Sequence, residues 1–363
     1  MNPFFSIIIP CCNVGKYIRE CLESITSQSF ENFEVLTIIE DSTDDTEQII
    51  KEFAEKDKRI RVFKQPRSGS GAMPRNTGMN NATGDYLLFC DGDDSIAENS
   101  LSMLSEQVSA RPGADIYACA IREYMDGGED IRIIDNYPND APVELSGHEA
   151  VLILYKLWKK PSPMLQENVW RRDFLNEHNL RCIPGIVYED TELFERALYL
   201  AKRIVPLHVP FYNYRRHPES IMMITHESDY FCKNMAQVLK SLFAFSAKES
   251  QRPDFDNRIA ACWAREWIDI LFFDWFGWQA IKTIPRQKRL ETLKFIFEDG
   301  FGNVKKLALN TSVARRSLLV PVQLFVVCPI LAWPIELFFQ KVAFPFALLK
   351  NKNKKVACKL HGQ

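Results

Sequence analysis

The sequence contains no Cys-x-x-Cys pair, and none of its ten cysteines stands with histidines at zinc-ligand spacing. That argues against the common zinc modules. No Gly-x-Gly-x-x-Gly follows the first apolar run, where the residues read PCCNVGKY, and no Gly-x4-Gly-Lys-Ser/Thr occurs anywhere. A nicotinamide dehydrogenase and a P-loop kinase are therefore disfavoured. Charge of one sign is also lacking: 45 Lys and Arg oppose 47 Asp and Glu, a formal net charge of -2, and the only dense basic run is KNKNKK at 350–355. Without a basic stripe, no nucleic-acid partner is expected. The start, MNPFFSIIIP, lacks a basic segment, a long apolar segment and a small-residue cleavage site. No signal peptide is expected, and the scattered cysteines read as reduced thiols of a cytoplasmic protein. There are no internal repeats.

What is present is an ordinary globular composition, 46% hydrophobic and 25% charged over 363 residues, enough for one large or two modest domains. Short Ile-rich runs without alternation, FFSIIIP (4–10) and FEVLTII (33–39), are the pattern of strands buried on both faces. IRVF (60–63) and DYLLFC (85–90) read as two more strands. Between them lie helical spacings: Tyr17, Ile18, Cys21, Leu22 and Ile25, then Ile49, Ile50 and Phe53. Strands alternating with helices predict an α/β fold built from parallel βαβ units. In such sheets ligands bind beyond the carboxyl ends of the strands. Those ends carry Asn13, Glu40 with Asp41, the loop from Arg67 to Arg75, and Asp91 to Asp94. Residues 111–225 are less regular, with a MDGGED turn, and 191–203 reads as an amphipathic helix.

Three carboxylates crowd LLFCDGDDSI (87–96). Asp94 suits a cap of the next helix, whereas Asp91 and Asp93 stand at the end of a buried strand. Hard divalent cations favour such oxygens. A calcium loop is excluded, because Ile96 stands where Gly is needed and Ser102 where Glu is needed. Glu40 and Asp41 either just precede a helix start capped by Ser42, Thr43 or Asp44, or supply an acid that accepts hydrogen bonds from a ribose or base.

Taken in order, SIIIPCCNVGKYIRECLESITSQSFENFEVLTIIEDSTDDT and SGSGAMPRNTGMNNATGDYLLFCDGDDSI resemble family 2 glycosyltransferases of the GT-A nucleotide-sugar fold. The likeness continues in VWRRDFLNEHNLRCIPGIVYEDTELFERAL and PFYNYRRHPESIM, over about residues 4–225. It implies a Rossmann-like, mainly parallel central sheet flanked by helices, followed by a mostly helical C-terminal region. It also implies inverting transfer of a sugar from a nucleoside diphosphate, UDP in the first instance, to an acceptor hydroxyl. Pro10 and Asn13 would border the nucleotide, Glu40 or Asp41 would face its base or ribose, and Arg75 and Asn76 would lie near it. Asp91 and Asp93 would be the DxD pair, with Asp93 the principal ligand of Mn²⁺ or Mg²⁺. Asp190 would be the general base with Glu189 beside it, and Arg215 would close over the diphosphate. Two departures stand out: Cys12 replaces the usual aromatic before Asn13, and the acidic run after strand two is shortened to Glu40-Asp41-Ser42 without glycine.

The implied organisation is a nucleotide-sugar-binding part (1–110), an acceptor and catalytic-base part (111–225), a helical region (226–310) and an apolar, basic tail (311–363). LLVPVQLFVVCPILAWPI (318–335) has no formal charge, is interrupted by three prolines and is preceded by Arg315 and Arg316. An in-plane anchor over 315–355 at the cytoplasmic membrane face is expected, facing a saccharide or lipid-linked saccharide acceptor; a hairpin packed on the catalytic part is the alternative. Other functions compatible with the residues are a metal-dependent nucleotidyltransferase and a non-catalytic nucleotide-sugar-binding protein.

Overall fold

A computed structural model describes residues 2–156, 163–220 and 229–253, with residues 255, 256, 258 and 259. The tail over 315–355 lies outside the described residues. The chain divides into two compact units, Met1–His226 with Gln237–Phe245, and Glu227–Ala236 with Ser246–Gln363. The site lies in the first.

The first unit opens as β1 (Phe5–Cys11), α1 (Ile18–Thr26), β2 (Phe33–Glu40), α2 (Thr46–Lys56), β3 (Ile60–Gln65), α3 (Ala72–Asn81) and β4 (Tyr86–Phe89). All but α3 lie where the apolar pattern puts them; α3 begins at Ala72, inside the segment read as a loop from Arg67 to Arg75. β1 pairs in parallel with both β2 and β4, and β2 with β3. Flanked on both edges and covered on both faces, Ile7, Ile8 and Ile9 of β1 are fully buried, each stabilising the fold by about 1.5–3 kcal/mol. α1 buries Ile18, Cys21, Leu22 and Ile25, the i, i+3, i+4, i+7 stripe of a helix on a sheet.

Residues 111–220 are more ordered than their irregular pattern suggests. After β5 (Ser95–Ile96) and α4 (Ser100–Ala110) come β6 (Ile116–Met125), β7 (Asp130–Asp135) and α5 (Gly147–Lys156). A 3-10 turn, Leu165–Glu167, then leads into β8 (Asn168–Arg171), α6 (Arg172–Glu177), α7 (Glu189–Leu200) and β9 (Ile204–Arg216). MDGGED is the β6–β7 hairpin, with Gly127 and Gly128 at positive φ. The strands form one sheet in the order β3-β2-β1-β4-β8-β6-β9-β5, with β7 also on β6. Its first four strands are parallel as expected. β8 and β7 pair antiparallel with β6, and β5 antiparallel with β9. β6 also pairs in parallel with β9, so the sheet is mainly parallel, with the short β5, β7 and β8 as its antiparallel additions. A last helix, α8 (Asp229–Glu249), follows β9. Among the described residues no helix is long and apolar enough to cross a membrane.

Candidate active site

The site grows from the end of β4. Beyond Phe89 the chain turns through Asp91, Gly92, Asp93 and Asp94. A Cβ on Gly92 would stand 2.9 Å from Val14 Cγ2, so glycine lets this turn press against the loop after β1. Tyr212 of β9 braces it twice: its hydroxyl accepts the Asp91 N–H at 3.1 Å and donates to Asp94 Oδ2 at 2.5 Å. The Arg215 N–H donates to Asp94 Oδ1 at 2.7 Å. Asp94 is thus a buried tie between β4 and β9, not the cap of the next helix. α4 does not begin until Ser100, behind Asn99 at φ 59°. Burial, then the charges of Asp93 and Asp91, push the Asp94 carboxyl well up.

Arg75, on α3 and 7% exposed, joins the two sides of the site. Its Nη2 pairs with Asp91 Oδ1 at 2.7 Å and its Nη1 with Glu189 Oε1. Burial opposes the guanidinium charge, but Asp91 and Glu189 more than offset it and hold Arg75 protonated. Gly71 leaves room for the pairing, since a Cβ there would run into Arg75 Nη1 and Glu189 Oε1. The other Asp91 oxygen, Oδ2, accepts from Gln166 Nε2 at 2.5 Å. Both oxygens of Asp91 are therefore engaged by protein donors.

Glu189 and Asp190 occupy the first turn of α7, where the helix dipole favours negative charge. α7 begins two positions before the expected helix of 191–203 and is entered through Tyr188 at φ 71°, an uncommon conformation for an aromatic residue that aims the two acids. Burial pushes Glu189 up to about 7, with Arg75 pulling the other way. Burial also raises Asp190, against the pull of Arg75; its Oδ1 accepts the Thr191 N–H at 2.7 Å. Asn76, expected near the nucleotide, clamps the approach to α7: Nδ2 donates to the Cys182 carbonyl at 2.8 Å and Oδ1 accepts the Cys182 N–H at 2.9 Å.

Asp93 lies on the other flank of the turn, with 28% of its side chain exposed. Its Oδ2 stands 3.0 Å from His217 Nε2, and the His217 ring stacks obliquely on Tyr17, centroids 4.7 Å apart. Burial and then Asp91 push the Asp93 carboxyl up, while His217 eases it down. Among the described residues no group of three or more His, Cys, Asp or Glu is gathered as a metal cage. The pair nevertheless fits a divalent cation: two ligands at right angles, each about 2.1 Å from a cation, lie about 3.0 Å apart, and such cations commonly take one or two protein ligands plus phosphates and water. His217 Nδ1 is buried and has no partner among the described residues. Arg215, expected over a diphosphate, is buried and held by protein groups. Its Nε donates to the Asp93 carbonyl at 3.0 Å, and its guanidinium pairs with Glu20 at 2.6 Å and Asp126 at 3.1 Å. It lies against the rings of Tyr17 and Tyr124.

The third side is the rim of β1 and β2. Pro10 is half-buried at the end of β1. Asn13, at φ 53°, accepts the Thr43 N–H at 2.8 Å and binds the β2 loop to the β1 loop. Asp44, opposed by burial but held low by donors from Thr46 and Gly15, fixes the same loop. Glu40 is buried, and its Oε1 takes donors from Ser68 Oγ at 2.5 Å, Gln65 Nε2 at 3.0 Å and the Ser68 N–H at 3.2 Å. Asp41 is exposed and accepts only the Arg67 N–H at 3.3 Å among the described contacts.

Three functional candidates were not singled out from the sequence: Gln166, Tyr212 and His217. Tyr212 and His217 lie in PFYNYRRHPESIM, the last stretch of the resemblance, where a histidine close to the DxD acids was the available signal. Nothing in MLQENVW marks Gln166.

Residues 6–177 match the family model for glycosyl transferase family 2. The glycosyltransferase GlyG of Streptococcus pneumoniae is 28% identical over 225 residues, 61% of this chain and 74% of that protein. Among solved structures, S. aureus TarS 1-349 in complex with UDP-GlcNAc superposes with a TM-score of 0.72 at 18% identity, covering 94% of this chain and 92% of that one. The mannosyltransferase PcManGT from Pyrobaculum calidifontis, in complex with GDP-Man and Mn²⁺, superposes with a TM-score of 0.51 at 16% identity, covering 91% and 88%. At these identities the structural likeness carries the fold, which is GT-A.

Proposed function

From a chain that belongs to glycosyltransferase family 2, we propose inverting transfer of a sugar from a nucleoside diphosphate, UDP in the first instance, to an acceptor hydroxyl. The acceptor is a saccharide or lipid-linked saccharide of a cell-surface polymer or glycolipid, met at the cytoplasmic membrane face. One observation carries the reading: Arg75 ties Asp91, at the end of β4, to Glu189, at the start of α7. It holds the acidic turn that carries Asp93 and the helix start that carries Asp190, the candidate base, in one buried network.

The roles follow from the donors present. Asp190, raised by burial, takes the proton of the acceptor hydroxyl, which is a poor nucleophile until deprotonated. Attack from the face opposite the diphosphate inverts the anomeric carbon without a covalent enzyme intermediate. Glu189 is turned toward Arg75 and orients α7. A divalent cation, when bound, supplies positive charge against the leaving diphosphate, with Asp93 and His217 as its protein ligands. Asp91 keeps Arg75 and Gln166 in place. Arg215 acts through the Asp93 carbonyl and Asp94, fixing the turn. On the rim, Asp41 is the better-exposed acid for the base or ribose, Glu40 being occupied by Ser68 and Gln65.

The test incubates the full chain with UDP-sugars, acceptor saccharides and Mn²⁺, and follows released nucleoside diphosphate and product mass. UDP release coupled to glycosylated acceptor, lost on chelation, is the expected result. Pyrophosphate release, or binding with no transfer across a broad acceptor panel, overturns it.

A further inference from the structure

Gln166 sits in the 3-10 turn Leu165–Glu167 and is 5% exposed. A carboxylate only accepts hydrogen bonds, so the amide must turn its NH₂ toward Asp91 Oδ2, 2.5 Å away. Its carbonyl oxygen, Oε1, is then left buried, with no partner among the described residues. Two neighbours share this state. Arg75 grips the other oxygen of Asp91, yet its Nε is buried and unpartnered. Ser70 directly precedes Gly71, against which Arg75 and Glu189 pack, and its Oγ is likewise unpartnered.

Buried polar atoms are almost always paired, and each left unpaired costs about 1–3 kcal/mol. Two of them on the side chains that grip one carboxylate, with a third on the residue before Gly71, mark a place that a polar ligand completes. The set is one acceptor (Oε1), one donor (Nε) and one hydroxyl that does both (Oγ). That is the complement of a ring carrying several hydroxyls, not of a phosphate, which offers acceptors alone.

We propose that Gln166 is a specificity-determining residue: its Oε1 accepts a hydrogen bond from one hydroxyl or amide N–H of the donor's sugar while its Nε2 holds Asp91. This rests on the glycosyl-transfer reading above. A sugar whose configuration turns that group away leaves Oε1 buried and unpaired, so the residue selects by rejection.

The experiment measures, by calorimetry on the full chain, the Kd of UDP and of two epimer pairs, UDP-glucose with UDP-galactose and their N-acetyl counterparts. Wild type is compared with Gln166→Met, which removes both amide ends, and with Gln166→Asn, which keeps the amide one methylene shorter should the first variant not fold. In wild type one epimer of a pair binds more tightly. The expected change is a roughly ten-fold collapse of that ratio, the size of one lost hydrogen bond, with UDP binding little altered. A role confined to positioning Asp91 weakens both epimers alike and leaves the ratio standing. An unchanged ratio in variants that still bind UDP, or a wild type that does not distinguish epimers, overturns the role of Gln166. A wild type that binds neither UDP nor any UDP-sugar overturns the underlying reading instead.

Discussion

Strands β1 to β4 present their polar groups where parallel strands end, whereas the segments around β6 to β9 deliver theirs from a 3-10 turn, a helix start and the far end of a long strand. The first region supplies Glu40, Asp41, Asp91, Asp93 and Asp94. The second supplies Gln166, Glu189, Asp190, Tyr212 and His217, which decide how those acids can coexist. Asp91 faces Arg75 and Gln166, Asp93 faces His217, and Asp94 faces Tyr212 and the Arg215 N–H. The acidic turn is tolerable because each carboxylate has its own partner, and two of the three sets come wholly from the second region. The lesson is a division of labour: one region places the charge, and the other assigns it.

The largest test of that division is Asp190→Asn. It removes the proposed base from the second region while leaving the nucleotide rim of the first untouched. Transfer should fall by about 10²–10⁴-fold, the span of general-base catalysis, with the Kd for nucleotide sugar nearly unchanged. Steady-state kinetics beside calorimetry check this. Transfer near the wild-type rate would move the base elsewhere, and a matching loss of donor affinity would break the separation of roles.

Arg75→Met attacks the bond between the regions. It strands Asp91 and Glu189 as buried carboxylates without their cation, a change that costs about 3–5 kcal/mol when one partner of a buried pair is removed. Urea unfolding monitored by circular dichroism measures it. A loss under about 1 kcal/mol would place this link in the class of exposed pairs and leave the regions independent.

How much of this was legible follows the same boundary. β1 to β4 could be read because strands buried on both faces are written as unbroken apolar runs, and the rim acids follow from where those runs stop. β8 has four residues, too short to carry a period, and its reversed direction depends on partners from distant segments. The helix-cap reading of Asp94 failed because capping is a local rule, while Tyr212 and Arg215 reach it from β9. The resemblance places Asn76 and Arg215 near the nucleotide and diphosphate. Their side chains are taken by Cys182 in one case and by Glu20 and Asp126 in the other, contacts that no spacing encodes. Glu189 and Asp190 were found only through the order of motifs, since at a helix start two acids are ordinarily explained by the dipole.

The smallest effect sharpens the question of which region sets the charge at their junction. Burial pushes Glu189 up to about 7 from an ordinary 4.5, although Arg75 pulls it down. A carboxyl raised in the folded state holds its proton more tightly there than in the unfolded chain. Its contribution to stability is therefore full below 4.5 and is lost as the pH rises through about 7. Glu189→Gln keeps a hydrogen-bonding partner for Arg75 but has no proton to lose. Between pH 4.5 and 7 the unfolding free energy of wild type should decline relative to the variant, and above that window the difference should be constant. Denaturant titrations across the window measure it. Parallel curves would mean that Glu189 is ionised throughout, with the guanidinium of the first region overriding burial in the second. A relative decline would mean that the second region's desolvation sets the charge, and that Arg75 meets a partner that is only partly ionised near neutral pH.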